Sequence, residues 1–149
     1  MSEQNKAVVR RLFDEVWNGG HLEAIPEIYG ADFVAHYRPP TDFGEGREGV
    51  RALVQRVRTA FPDYHEEVRC MLAEGEFVAA WYTLTGTHQG PLEAPALGCI
   101  PPTGKHFAVE EIAIFRVRDG KVVEQRGVLE VLPLLQQLGL LATLAQEPA

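Results

Sequence analysis

Two runs near the C-terminus are rich in β-branched and aromatic residues, yet each carries polar side chains where an apolar pattern is expected. Glu110 and Glu111 interrupt residues 107–117, and Gln125, Arg126 and Glu130 interrupt residues 121–131. Side chains alternate between the two faces of a strand, so Glu111 shares a face with Val109, Ala113 and Phe115. If that face lines a pocket, burial raises the carboxyl pKa and equips Glu111 as a proton shuttle near neutral pH. The competing reading is a solvated carboxylate, or one paired with an arginine. Glu130 closes the second run. It is a second candidate acid, or a carboxylate favoured by the dipole of the helix that follows.

Histidine offers further candidates. His36 directly follows an apolar run and His88 ends the text G-T-H, so both could exchange a proton or orient a ligand, or serve as hydrogen-bonded structural residues. Trp17 at a helix end, Phe115 on the inward face and Gln125 on the last strand are candidate ligand contacts. Aromatic residues spaced through amphipathic elements otherwise build core. No H-E-x-x-H, no histidine–carboxylate cluster, no G-x-S-x-G and no phosphate-cradling glycine loop occurs, so neither metal nor cofactor is expected. Cys70 and Cys99 lack the close spacing of a metal or redox motif and are expected to be buried or idle.

These residues must be positioned by elements that the sequence also announces. Ser2 can cap a helix keeping Val8, Val9, Leu12, Phe13 and Val16 on one side, with a stop at Asn18-Gly19-Gly20. A short helix is expected over 22–29, a brief strand over 32–37 ended by Pro39-Pro40, and a helix carrying Val50, Leu53, Val54 and Val57 until Phe61-Pro62-Asp63. Strands follow over 64–73 and 77–88. Asp119-Gly120 is the dipeptide that two-residue hairpins prefer, so 107–117 and 121–131 pair antiparallel. Between them, residues 89–104 hold four prolines and no periodicity, which marks a long connection of the kind that forms lids or plain excursions. A final helix is expected over 132–144. The sum is an α+β domain spanning 1–149, with three N-terminal helices and an antiparallel sheet of four long strands.

Composition narrows the function. With 149 residues, 46% of them hydrophobic, one core that buries roughly 70% of the unfolded surface is expected. The 21 acidic against 14 basic residues give a net charge of −7, and no basic footprint stands out, which argues against nucleic acid. No apolar stretch nears the ~20 residues of a membrane span and no signal-peptide pattern opens the chain, so a cytoplasmic protein without a membrane partner is expected.

Taken together, W-N-x-G at 17–20, F-V-x-H at 33–36, A-F-P-D at 60–63, G-T-H-x-G at 86–90, P-T-G-K at 102–105, I-x-I-F-R-x-x-D-G-K at 112–121 and L-L-x-Q-L-G at 134–139 resemble the SnoaL-like polyketide cyclases of the nuclear transport factor 2-like superfamily. The resemblance implies a cone-shaped, strongly curved sheet wrapped around the helices, an apolar pocket at the open end, and dimers formed through the outer face of the sheet. It also implies an acid on the last strand that drives intramolecular aldol closure without metal or cofactor. The family text D-G-K-I-V-E-x-W-D-x-x-D aligns with residues 119–130. Arg126 then replaces the tryptophan, Gly127 replaces the first acid, and only Glu130 keeps a carboxylate. The family's polar partner on the neighbouring strand falls on Ala113, with Glu111 two residues earlier on the same face.

Three functions follow from these features. The first is a cofactor-independent enzyme moving protons on a small hydrophobic, ring-shaped or polyketide-like molecule, by cyclisation, isomerisation or epoxide opening. The second is a ligand-binding protein that has lost the family acid. The third is a dimerisation module. The expected pocket opens near residues 89–104, includes Trp17 and Glu111, and belongs to a homodimer.

Overall fold

A computed structural model describes residues 2–38, 44–94 and 98–141. Helix α1 (Ser2–Arg11) runs on into a π-helical stretch, Leu12–Asn18, whose Leu12, Phe13, Val16 and Trp17 are all buried. A 3₁₀ turn (Leu22–Ala24) leads to the single turn α2 (Ile25–Ile28), then to β1 (Tyr29–Arg38) and α3 (Gly46–Ala60). Strands β2 (His65–Glu74) and β3 (Phe77–Thr87) come next. The small strands β4 (Leu92–Ala94) and β5 (Gly98–Ile100) follow, then β6 (His106–Arg118), β7 (Lys121–Leu129) and α4 (Val131–Gln137).

The main sheet has the order β1-β7-β6-β3-β2, antiparallel throughout except that β1 runs parallel to β7. The expected α+β class with a curved sheet over N-terminal helices is therefore the observed one. Two details differ from the sequence reading. The sheet has five strands, because the apolar run beginning at Tyr29 makes β1 ten residues long and pairs it with β7. The connection at 89–104 contains the hairpin β4–β5, which has its own short ladder. Residues 39–43 and 142–149, which hold the expected Pro39-Pro40 stop and the end of the last helix, lie outside the described residues.

Curvature comes from irregular pairing at three places: between Tyr29 and Val34 in β1, between Val68 and Cys70 in β2, and between Arg116 and Val117 in β6. An extra residue on one strand bends it and increases its twist. The β6–β7 turn has the geometry its sequence requires, with φ of 53° at Asp119 and 75° at Gly120. Both central residues of a type I′ turn need positive φ.

On the concave side, β6 buries every second residue from Phe107 to Val117. Phe13 reaches down from the π-helical stretch and meets the edges of Tyr82 and Phe115 at centroid distances of 4.6 and 5.8 Å. The convex side is different. Trp81, Ile112 and Val128 stand opposite one another on β3, β6 and β7, and they remain 43%, 58% and 61% exposed. Cys70 and Cys99 are exposed free thiols, so of the expected alternatives, buried or idle, burial is excluded. Among the described residues no helix is long and apolar enough to cross a membrane.

Candidate functional site

The helices and the concave face enclose a cavity of about 140 Å³, comparable with an engineered apolar cavity that takes up benzene. Leu12 and Trp17 close one side and Leu53 and Val57 of α3 another, while the sheet contributes Tyr37, Glu66, Tyr82, Glu111 and Gln125. No described residue of the 89–104 connection lines it, although Phe61 and Phe107 beside that connection do. The lids over the concave face are the N-terminal helices, α3 and Leu134 of α4.

Glu111 projects inward at mid-β6, 7% exposed, because it falls in phase with Val109 and Ala113. Tyr37 Oη donates to its Oε2 at 2.5 Å, and Tyr82 Oη donates to the same oxygen. Gln125 Nε2 in turn donates to Tyr37 Oη, while Gln125 Oε1 is buried with no partner among the described residues. No ion pair reaches the carboxyl among the described residues. Burial pushes its pKa up to about 7, and the two tyrosine hydroxyls restrain the rise by stabilising the anion.

Glu66 is a second buried carboxyl on the same wall, 6% exposed. Tyr64 Oη donates to its Oε2 at 2.5 Å. Asn18, from the W-N-x-G text, clasps its backbone in both directions, accepting from Glu66 N at 2.7 Å and donating to Glu66 O at 2.9 Å. Burial, and then the charge of Glu111, hold the Glu66 pKa well above the usual carboxylate range, with Tyr64 opposing. The sequence reading missed this residue. Its signal was parity alone: Tyr64, Glu66 and Val68 alternate with exposed His65 and Glu67.

The positions where the family acid and its partner were expected now have a structural explanation. Gly127 and Ala113 are direct cross-strand partners, and Tyr37 pairs with Gly127 from the other side. A Cβ on Gly127 would lie 2.6 Å from Tyr37 Cζ and 2.8 Å from its Oη. The space that a side chain at Gly127 would occupy is thus filled by the Tyr37 ring, which carries its hydroxyl to Glu111.

The other expected site residues are distributed differently. Trp17 lines the cavity, but its indole N–H is not free, since it points to Tyr29 Oη at 3.4 Å. Phe115 is fully buried against Phe13 and lies outside the cavity wall. His36 is exposed on the convex side, 3.2 Å from Glu124 Oε2. Glu130 also stays away from the cavity, where its Oε2 accepts the backbone N–H of Glu110 at 2.9 Å.

His88 is fully buried but outside the cavity wall. Its Nδ1 accepts from Thr103 N at 3.2 Å, and its backbone pairs with Lys105 O and Gly104 N, so it ties together the two ends of the 89–104 connection. Burial lowers its pKa, favouring the neutral ring.

Gly127→Ala should force Tyr37 off Glu111. The expected outcome is a loss of about 1–3 kcal/mol in urea unfolding, typical of a buried hydrogen bond and overpacking, while Gly127→Ala combined with Tyr37→Phe loses no further hydrogen bond. Stability should also depend on pH. Because the folded-state pKa of Glu111 is raised, the native state holds more protons than the unfolded one between about pH 4.5 and 7. Stability therefore falls as pH rises through that window. Urea titrations of Glu111→Gln should show a flatter profile there, with the gain over wild type largest above pH 7.

Comparison with known proteins agrees with the fold. The family description "SnoaL-like polyketide cyclase" matches residues 7–138. Nogalonic acid methyl ester cyclase of Streptomyces nogalater is 29% identical over 125 residues, covering 83% of this chain and 89% of its own. Aklanonic acid methyl ester cyclase of Streptomyces sp. strain C5 is 30% identical over 139 residues, covering 89% and 80%. The structure of TsrD from Streptomyces laurentii superposes with a TM-score of 0.80 at 25% identity, over 93% of this chain and 97% of that one. The chain belongs to the SnoaL-like polyketide cyclase family.

Proposed function

We propose that this protein is a cofactor-independent enzyme that closes or isomerises a small apolar carbonyl compound of polyketide type, with Glu111 as general acid/base. The observation that carries the reading is a buried carboxyl in an apolar cavity wall, held by two tyrosine hydroxyls, with burial pushing its pKa up to about 7. A base works best when its pKa lies near the operating pH. In an aldol closure, Glu111 as carboxylate removes a proton from carbon next to a carbonyl. The resulting enolate carbon bonds to a second carbonyl carbon, and the alkoxide formed there takes the proton back from Glu111. The cavity size suits the reacting ring rather than the whole of a multi-ring substrate.

The ester cyclases that resemble this chain make aklanonic and nogalonic acid methyl esters the first compounds to test. Glu111→Gln keeps the shape and removes the titrating proton. Ring closure followed by chromatography should slow by about 10²- to 10⁴-fold, and the apparent pKa near 7 should vanish from the wild-type rate profile. Replacement of the family's polar pair by Gly127 and Ala113 favours a non-catalytic binding protein instead. Tight binding of these esters without turnover by wild type would establish that second reading.

The same reading includes a homodimer formed through the convex face. Support comes from the row Trp81, Ile112 and Val128, continued by Ile114 at 46% exposure, which forms an apolar surface of the sort that marks protein contacts. Light scattering at micromolar concentration should give twice the chain mass, and Ile112→Lys should return it to one. A single-chain mass for wild type would refute the dimer.

A further inference from the structure

The cavity holds two carboxyl groups, and the proposed reaction uses only one. Glu66 and Glu111 lie on strands separated by β3. Glu66 pairs with Leu84 and Glu111 with Tyr82, which places them two residues and two strands apart on one concave face. Strand spacings of about 4.8 Å and rises of about 3.4 Å per residue put their Cα atoms roughly 12 Å apart, so two long side chains converging from a curved wall flank a ring-sized space.

Both carboxyls lack a cation among the described residues, yet their hydrogen bonding differs. Glu111 Oε2 receives two hydroxyl protons, which suits an anion. Glu66 Oε2 receives one, from Tyr64, and leaves Oε1 to carry a proton of its own. The backbone of Glu66 is clasped by Asn18 and its carboxyl by Tyr64, so it is a fixed group and not a mobile surface side chain that happens to be covered.

We propose that Glu66 is the second catalytic residue: as a neutral acid it donates a hydrogen bond to the substrate's carbonyl oxygen while Glu111 removes the adjacent carbon-bound proton. This rests on the function proposed above and narrows its substrate class to a ketone with an acidic hydrogen beside the carbonyl. In the step itself the C–H bond breaks and a Glu111 O–H bond forms. The electron pair of the C–H bond becomes the C=C bond of the enolate, and the carbonyl π pair moves to oxygen, where Glu66 Oε1–H meets the new charge. Return of the proton to another carbon completes an isomerisation, and attack of the enolate carbon on a second carbonyl completes a ring closure. Environments that separate the protonation of two carboxyls divide them into acid and base, and burial beside the Glu111 charge, which raises the Glu66 pKa, fits the donor.

The test uses cyclohexanone, a single-ring ketone with hydrogens beside the carbonyl, labelled with ¹³C at the carbonyl. In wild type the bound carbonyl resonance should move downfield of its position in an apolar solvent, and the hydrogen beside it should exchange with D₂O. Glu66→Leu should remove the downfield shift and slow exchange about 10²- to 10³-fold, the size of effect seen when one such donor is lost. Glu66→Gln, which retains an N–H donor, should restore part of both. Glu111→Gln should keep the downfield shift while exchange stops.

A downfield shift that survives Glu66→Leu overturns the proposal, as does failure of millimolar cyclohexanone to bind wild type. If the shift depends on Glu66 but exchange is untouched by Glu111→Gln, the donor role stands and the reading of Glu111 as base fails. Should Glu66→Leu fail to fold, Glu66→Gln decides alone: an unchanged carbonyl resonance and exchange rate overturn the role.

Discussion

A carboxyl group taken out of water with no cation beside it costs several kcal/mol, and proteins meet that cost with hydrogen bonds or by keeping the group protonated. This chain does so twice on one wall of one cavity. Tyr37 and Tyr82 serve Glu111, and Tyr64 serves Glu66. Much of the architecture provides for these contacts. Strand β1 is paired to β7 so that Tyr37 arrives beside Gly127, and Asn18 at the end of the first helical segment fixes the start of β2. Remove the carboxyls and the concave face would be an ordinary apolar core lined by Phe13, Phe107 and Phe115.

The same arrangement explains how a family member can lack the acid of its last strand and still present ionisable groups to its cavity. The buried carboxyl stands one strand over from Gly127, on Glu111. The volume beside Gly127 is taken by the Tyr37 ring, which reaches in from the sheet edge. The glycine at 127 and the tyrosine that serves Glu111 are then one packing arrangement. The relatives' names describe ester cyclases, and this chain shares their family while presenting two buried carboxyls to an apolar cavity.

What could be read from the sequence was what local rules govern. The period-2 pattern of 107–117 fixed the face on which Glu111 lies, and Asp119-Gly120 fixed the turn that aligns β6 with β7. Tyr37 was not legible as a partner of Glu111, because their contact spans 74 residues and depends on β1 running parallel to β7. Glu66 was hidden by its neighbour: Glu66-Glu67 looks like a solvated pair until the parity with Tyr64 and Val68 is followed. His36 and Glu130 were read from residue type and motif position, and Phe115 from its face alone. Those signals say nothing about which side of a curved sheet a side chain meets, or how much space remains around it.

The contact between Gly127 and Tyr37 also constrains how this protein can change. A side chain at 127 collides with the tyrosine, and loss of the tyrosine ring at 37 leaves a void beside Gly127 together with one fewer donor on Glu111. Each position therefore penalises replacement of the other, and the route to an acid at position 127 passes through an intermediate worse than either end. The two residues are an epistatic pair, and descendants of this chain are expected to keep both or to exchange both.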